Sequence, residues 1–379
     1  INGNTATEVY NGKEQSVTGY TTDVGTKTIS VTLNEIGKDT AKGTNAGTYP
    51  MGLTAEDFTV TSRNYSNIKV VVKDGWLKID PIADKVTVTV TENSAAVTYD
   101  GTEHSVTGYK SMTADNTLYD VEKNVAEKPT KAWTAKGTDV GEYPVGIEAS
   151  DLENTSVNFT NVEFVIVDGT LKIDPVSDKV TVTITENADT VEYDGKEHSV
   201  TGYASIVSDH ALYDVANVAE TPTDAWTAKG TDAGTYPVGI KSGDFRNTSG
   251  NFTNVEFVIE DGELVITRRG ENPGSPVTLR ADDNTVMFDG DYHGYVGHIA
   301  TNLAEGHSVR SVKSDFTARN VGRYEDKIDL HDAIIVDADG KDVTRNYVLT
   351  YQPGTLEITP FEGEVVVTVT GNTGLFRYD

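Results

Sequence analysis

The sequence predicts an all-β protein: four tandem β-sandwich, immunoglobulin-like repeat domains of about 90 residues in an elongated array. Three observations carry that prediction. One phrase recurs, as YNGKEQSVTGY from Tyr10 to Tyr20, YDGTEHSVTGY from Tyr99 to Tyr109 and YDGKEHSVTGY from Tyr193 to Tyr203. A weaker copy, FDGDYHGYVGH, runs from Phe288 to His298, and Tyr378-Asp379 opens a fifth. Successive copies start 89, 94, 95 and 90 residues apart, and a period of that length sets the domain size. The second observation is apolar residues alternating with polar ones, the pattern of strands with one buried face. The third is turn dipeptides at close intervals, with no amphipathic run long enough for a helix. β-Grasp-like repeats are the alternative architecture, and the missing helix weighs against them.

The second copy shows each element in order. KVTVTVTE alternates Val86, Val88 and Val90 with threonines, a half-buried strand. AVTYD is a short strand that ends at Asp100-Gly101, a dipeptide suited to a hairpin turn, and HSVTGY is its expected partner. A looser stretch from Asn116 to Asp139 holds one proline and no helical period. Asp139-Val-Gly-Glu-Tyr143 then recurs as Asn45 to Tyr49, Asp232 to Tyr236 and Asn320 to Tyr324, a turn followed by an inward-facing tyrosine. EASDLENTS can form a single helical turn. VEFVIVDGTLKID closes the copy as two strands around Asp168-Gly169, the clearest hairpin signal in the chain.

The repeats divide the chain into domains at 1–84, 85–178 and 179–270, a linker at 271–276, a divergent domain at 277–363 and the start of a fifth repeat at 364–379. A stop inside the next copy's Tyr-Asp reads as a piece cut from a longer array. The first two joints are a φ-locking proline, Pro81 or Pro175, and three further residues. They predict a rod with little bending. At the third joint Arg268 to Pro276 reads TRRGENPGSP with the preceding threonine. Its glycines and basic pair predict a hinge and the first site of tryptic cleavage.

Composition excludes several functions. The chain has 31 basic and 59 acidic residues, a net charge of −28. That disfavours nucleic acid and anionic lipid as partners and keeps chains apart in solution. No stretch reaches the roughly 18 apolar residues of a membrane-spanning helix. There is no cysteine. Small extracellular domains usually recruit disulfides, so the absence fits surface proteins of bacteria that export through one membrane.

Few residues suggest chemistry. His104, His198 and His293 follow the turn glycine by three, but copy one has Gln15 there and no second histidine stands at ligand spacing. They read as turn scaffold. Asp337, Asp339 and Asp342 cluster in DADGKD, a weak candidate for Ca2+; the glycine is fourth, not sixth as in an EF-hand loop, and a hairpin turn is the favoured reading. Joint acids Asp80, Asp84, Asp174 and Asp178 are a fainter cation candidate. Trp133, Trp226 and Phe316 occupy equivalent places where copy one has Asp39. A position that accepts aspartate suggests an edge or surface, where an aromatic can stack on a sugar or anchor a partner, but packing under the preceding loop is the favoured reading. Lys85 or Lys179 could enter a covalent Lys–Asn crosslink only if buried, and a strand-entry lysine is normally solvated.

YDGKEHSVTGY, AKGTDAGTYPVGI, NFTNVEFVI and DGTLKIDP resemble the YDG-type and MBG-type tandem repeats of large bacterial cell-surface proteins, many from gut Firmicutes. The resemblance spans nearly the whole chain and departs in the middle of the fourth copy, where VTGY becomes YVGH. It implies an extracellular, wall-attached or secreted array with no catalytic residues and no required cofactor, a stalk that presents an adhesive region. The alternative is that the repeats themselves bind mucin, glycans or a host protein such as immunoglobulin, each weakly and together multivalently. An enzyme is disfavoured, because repetition of a whole fold offers no distinct cleft.

Overall fold

The computed structural model describes residues 1–24, 28–222 and 224–378; Asp379, half of the expected fifth Tyr-Asp, lies outside the described residues. The chain is an all-β array of immunoglobulin-like repeats. It forms two compact units, one of Ile1–Asp178 with Gly250–Thr253, the other of Lys179–Ser249 with Asn254 onward.

The second repeat, in the first unit, shows the plan. Its opening strand Val86–Glu92 buries Val86, Val88 and Val90 while the intervening threonines stay half-exposed, as the alternation predicts. That strand lies between Tyr109–Ala114, antiparallel, and Val162–Val167, parallel. The second sheet is built the same way. Thr170–Asp174 lies between Ala95–Thr98, parallel, and Gly141–Pro144, antiparallel. His104–Thr107 pairs with Thr134–Gly137, and Val125–Glu127 with Leu152–Asn154. Val90, Val145, Ile147, Leu171 and Ile173 fill the space between the layers, and Val86 and Val88 continue the core with Tyr119 and Phe159. The longest helix among the described residues is Val121–Asn124, four residues started by the Asp120 side chain. It is too short to cover a sheet. The single turn expected in EASDLENTS is present as Ala149–Asp151.

Two expected hairpins are corrected. Val86 faces Val162, Ala95 faces Leu171 and Thr98 faces Asp174. The register is constant, so the first and last segments of the repeat run side by side, in parallel, through both sheets. Asp168-Gly169 therefore does not reverse the chain. It is the point where the last segment passes from one sheet to the other. Asp100-Gly101 likewise joins Ala95–Thr98 to a strand that pairs elsewhere, so the YDG turn is an arch between strand pairs. Turn chemistry was legible in both dipeptides, but the partner of a strand is a long-range fact.

The crossing has its own chemistry. The register slips between Thr91 and Glu92, and the Glu92 carboxylate is buried there. It accepts the Gly169 amide at 2.7 Å and the Ile147 amide at 2.5 Å. A Cβ on Gly169 would stand 2.1 Å from the Asn93 carbonyl oxygen, so only glycine admits this approach. Glu186 repeats the arrangement with Gly262 and Ile240. In the first repeat Gly3 stands at the glutamate's position, and Asp74 accepts the amide of Leu53, the counterpart of Ile147, at 2.9 Å and that of the neighbouring Gly52 at 3.0 Å. Removing a buried acceptor leaves its donors unpaired, at about 1–3 kcal/mol each. Glu92→Ala should therefore lower the stability of its repeat by roughly 2–6 kcal/mol, two amides being stranded, read as a shift of the least stable transition in urea unfolding.

Candidate functional site at the repeat joints

The recurring phrase builds a turn first. Gly101, Gly195 and Gly290 have φ of 77°, 80° and 91°, a backbone that side chains resist. Asp100 Oδ1 accepts the Thr102 amide and hydroxyl, at 2.9 and 2.7 Å, and lies 2.9 Å from His104 Nε2. Asp194 with His198 and Asp289 with His293 repeat this geometry at 2.9 and 2.8 Å. In the first copy Asn11 accepts the Lys13 amide and Gln15 donates to the Val9 carbonyl. Each histidine thus clasps the aspartate four residues back. Among the described residues no three His, Asp or Glu side chains converge as a metal site. The Thr102 hydroxyl, its amide and His104 hold the Asp100 carboxyl down at about 2.

The tyrosine of the phrase has a different task. Tyr10 meets Phe159 edge to face at 5.7 Å, across the first joint. Ile82, just after Pro81, pairs in parallel with Phe159, its amide donating to the Asn158 carbonyl at 2.9 Å. The Asn45-Ala-Gly turn closes the contact. Asn158 Oδ1 accepts the Ala46 amide at 2.7 Å, and its Nδ2 donates to Asn45 Oδ1 at 3.1 Å. Three separate motifs of one repeat therefore meet the Asn-Phe-Thr of the next.

The same set is written again. Within the first unit, Tyr99 meets Phe252 at 5.7 Å, Val176 pairs with Phe252, and Asn251 bonds the Val140 amide and Asp139 at 2.8 and 3.0 Å. Within the second unit, Tyr193 meets Tyr347 at 5.6 Å, Arg269 pairs with Tyr347, and Asn346 bonds the Ala233 amide and Asp232 at 2.9 and 2.8 Å. The turn itself is held by its tyrosine. Tyr49, Tyr143, Tyr236 and Tyr324 each donate to the carbonyl four residues back, at 2.8–2.9 Å, in the manner of a tyrosine corner.

The expected hinge at Arg268 to Pro276 is corrected for its first residues. Arg269 donates to the Asn302 carbonyl at 2.7 Å, to Asn302 Oδ1 at 3.0 Å and to the Tyr193 carbonyl at 3.3 Å. Arg345 pairs with Asp232, and the Asn346 side chain is fully buried. Tyr347 also meets His307, Nδ1 to hydroxyl at 2.7 Å, and burial pushes the Tyr347 phenol up to about 12. Burial pushes His307 down. The arginines that looked like mobile backbone include the one that ties this joint together. Residues 271–276 form turns with no strand.

The other candidate residues take structural positions. Trp133 is half-buried; its indole donates to Asp151 at 3.0 Å and packs at the edge of the Tyr109 ring. That bond holds the Asp151 carboxyl below the usual range. Trp226 donates to Asp244 at 2.8 Å and stacks on Phe245 at 5.5 Å. Phe316 is half-buried against the fourth repeat's core beside Tyr324. Asp337 Oδ1 accepts the Asp339 and Lys341 amides at 3.0 and 2.9 Å, and Asp342 accepts the Thr344 amide and hydroxyl, so these acids close their own turn. Asp80 and Asp174 pair with Lys78 and Lys172. Lys85 and Lys179 are exposed and paired with Glu163 and Glu256. The joint residues Asn158, Asn251 and Asn346 escaped sequence reasoning, although the recurring N-F-T and N-Y-V were the signal.

No family model matches the chain, and no curated protein matches it in sequence. Among solved structures it aligns with the N-terminal eight Ig domains of Down Syndrome Cell Adhesion Molecule, at 10% identity over 94% of this chain and 53% of that one, TM-score 0.17. The chain thus spans about half the length of that structure. Sidekick-1 immunoglobulin domains 1–5 align at 10% identity over 95% and 80%, TM-score 0.19. Drosophila N-cadherin EC1-4 aligns at 10% over 95% and 100%, TM-score 0.17. Superposition at that level supports no argument, and the fold rests on the strand pairings above.

Two predictions follow from this geometry. A carboxylate with a depressed folded pKa stabilises fully above its unfolded value near 3.9 and loses that contribution as pH falls through the folded value. The Asp100 contribution should therefore fade between about pH 4 and 2, and Asp100→Asn, the residue type already used at Asn11, should remove that part of the acid sensitivity in paired thermal melts. At the third joint, trypsin should cut slowly after Arg269, whose backbone is paired with residues 346–348, and after its neighbour Arg268. Tyr347→Ala should speed that cleavage about tenfold for each ~1.4 kcal/mol of joint stability lost, read from a digestion time course.

Proposed function

We propose that this chain is a non-catalytic repeat region of a bacterial surface protein, a stalk that projects or presents an adhesive region. One observation carries the reading. Three motifs spaced along each repeat, the phrase tyrosine, the Asx-x-Gly turn and the residue after the closing strand, converge on the Asn-aromatic pair of the following copy. A repeat that served only its own ligand would have no need to spend the same residues at each joint. Apolar contact combined with a side-chain amide that both donates and accepts fixes distance and angle together, which suits a spacer. The resemblance to YDG-type and MBG-type repeats supplies the bacterial, extracellular setting. The histidines and clustered acids that looked chemical are committed to turns, in keeping with a non-catalytic role.

Hydrogen exchange on the intact chain tests the reading. The Ala46 and Ala233 amides, whose acceptors are the Asn158 and Asn346 side chains, should exchange as slowly as strand amides, and Asn158→Ala should release Ala46 alone. Rapid exchange of both in the unaltered chain would show joints that open freely, and the stalk reading would fail. Mucins, glycans and host proteins including immunoglobulin should give no saturable binding on an array; saturable binding would favour repeats that adhere by themselves.

A further inference from the structure

A repeat is entered and left along one parallel line. In the second repeat Val86 stands opposite Val162 and Thr91 opposite Val167 in one sheet, then Ala95 opposite Leu171 and Thr98 opposite Asp174 in the other, with no change of register between them. The line begins before the first strand, where Ile82 pairs in parallel with Phe159. It ends beyond the last, where the Tyr99 amide donates to the Asp174 carbonyl at 2.8 Å. At the crossing between sheets, side chains bridge the two segments: Glu92 accepts the Gly169 amide at 2.7 Å and Ser94 Oγ accepts the Thr170 amide at 3.2 Å. The third repeat has the same line, Val180–Glu186 beside Val255–Glu260 and Asp189–Glu192 beside Glu263–Thr267. So does the fourth, with Val277–Ala281 beside Leu349–Gln352 and Asn284–Met287 beside Gly354–Thr359.

Parallel order decides what tension does to such a repeat. The chain enters at one end of the line and leaves at the other, so a pull along the chain draws the first segment past the last. Every bond of both ladders is then loaded at once. An antiparallel hairpin pulled by its two free ends, in contrast, opens one bond at a time from a single end. Sliding meets a second obstacle. Val86, Val88 and Val90 are fully buried, and a slip of one residue would turn all three to the opposite face. The remaining strand pairs, His104–Thr107 with Thr134–Gly137 and Val125–Glu127 with Leu152–Asn154, lie off this path, because the two outer segments hold each other directly. Load also passes between repeats with little slack. Within the first unit the closing strand Trp76–Asp80 is followed by Pro81, and Ile82 is already paired with the next line.

We propose that each repeat is a tension-bearing clamp, in which the parallel line between first and last segments carries force applied along the chain and the rest of the repeat carries none. Its resistance to force is directional and is separate from its equilibrium stability, because forced unfolding is governed by the rate of unfolding. Residues on the line set that rate under load. Residues off it stay folded until the line has failed, so they contribute to stability without contributing to the barrier. The biological setting rests on the stalk reading, since a spacer is pulled when what it presents is held. The clamp itself rests on strand order alone.

The chain holds no cysteine, so a pair of introduced thiols gives unique handles for single-molecule pulling on the intact chain. Lys85, Glu163 and Asp174 carry side chains that reach solvent on the second repeat. Lys85→Cys with Asp174→Cys pulls along the line. Lys85→Cys with Glu163→Cys pulls the same two segments apart from the end where they meet. Along the line the repeat should yield in one step of roughly 300 Å, the extended length of chain between the handles. At equal loading rate it should rupture there at a force several-fold higher than across the line. Val88→Ala, on the line, should lower the higher force. Val106→Ala, off it, should lower the urea midpoint of the repeat and leave that force unchanged. Equal forces in the two directions overturn the proposal, as does a Val106→Ala repeat weakened along the line as much as Val88→Ala. Rapid exchange of the Ala46 and Ala233 amides beside a high force along the line would remove the stalk reading and leave the clamp. Protected amides beside equal forces would do the reverse.

Discussion

Everything in these repeats depends on one pairing: the first and last segments of a repeat lie side by side, in parallel, through both sheets. Parallel neighbours cannot be joined by a tight turn, so the whole repeat lies between them in sequence. No fragment of a repeat contains both sides of its own central ladder. The crossing between sheets then becomes the weak point, because two strands must bend together while amides of the bend leave the ladder. Glu92 and Gly169 solve that jointly, the glycine by admitting the approach and the carboxylate by accepting the stranded amides. The first repeat reaches the same end from the other strand, with Asp74. The requirement is an acceptor at this place, and its address in the sequence is free to move.

That pairing also explains the joints. The closing strand ends on the side of the repeat where the YDG tyrosine and the Asx-x-Gly turn lie, since both flanking segments pair with it. Whatever follows the proline meets those groups at once. Ile82 and Val176 use the position for apolar contact, and Arg269 uses it for polar contact, reaching two carbonyls while its own backbone keeps the parallel bridge. The exchange of Phe for Tyr347 follows the same shift, because the phenol finds His307 and the Ala304 amide. The fourth repeat thus differs at its joint by a change of chemistry on an unchanged frame.

Much of this was legible in the sequence. The β class, the repeat length, the inward valines of Val86–Val90, the turn at Gly101 and the short helical turn at Ala149–Asp151 follow from local periodicity and turn chemistry. What escaped was non-local. Asp168-Gly169 has the composition of a hairpin turn, and nothing nearby says that its two strands find other partners. Packing was the favoured reading for Trp133, but its partner Asp151, which accepts the indole N–H from 18 residues away, was not legible beside Asp39 in the first copy. Arg268-Arg269 between glycines looked mobile because composition reports the unpaired chain, and the Asn302 and Asn346 groups that hold Arg269 lie 33 and 77 residues away.

Near-identical neighbours create a hazard that the joints answer. The second and third repeats share AWTAKGTD and NFTNVEFVI verbatim, so the opening strand of one would fit the ladder of the other, and such exchange is the characteristic failure of repeat proteins. Sequence alone offers little discrimination, since both ladders carry the same Lys–Glu pair at their entrance. Linker length supplies it instead. At the first two joints a proline and four residues separate one closing strand from the next opening strand, and so short a tether gives the correct neighbour a high effective concentration. The clasp then forms within a few residues of the strand it precedes: Ile82 bonds residue 158 just before Val86 enters its ladder beside residue 162. Docking and strand entry are consecutive steps along one stretch of chain. A joint that forms correctly places the following strand in register, so the contacts that fix neighbouring repeats also select the right fold for the repeat that comes next.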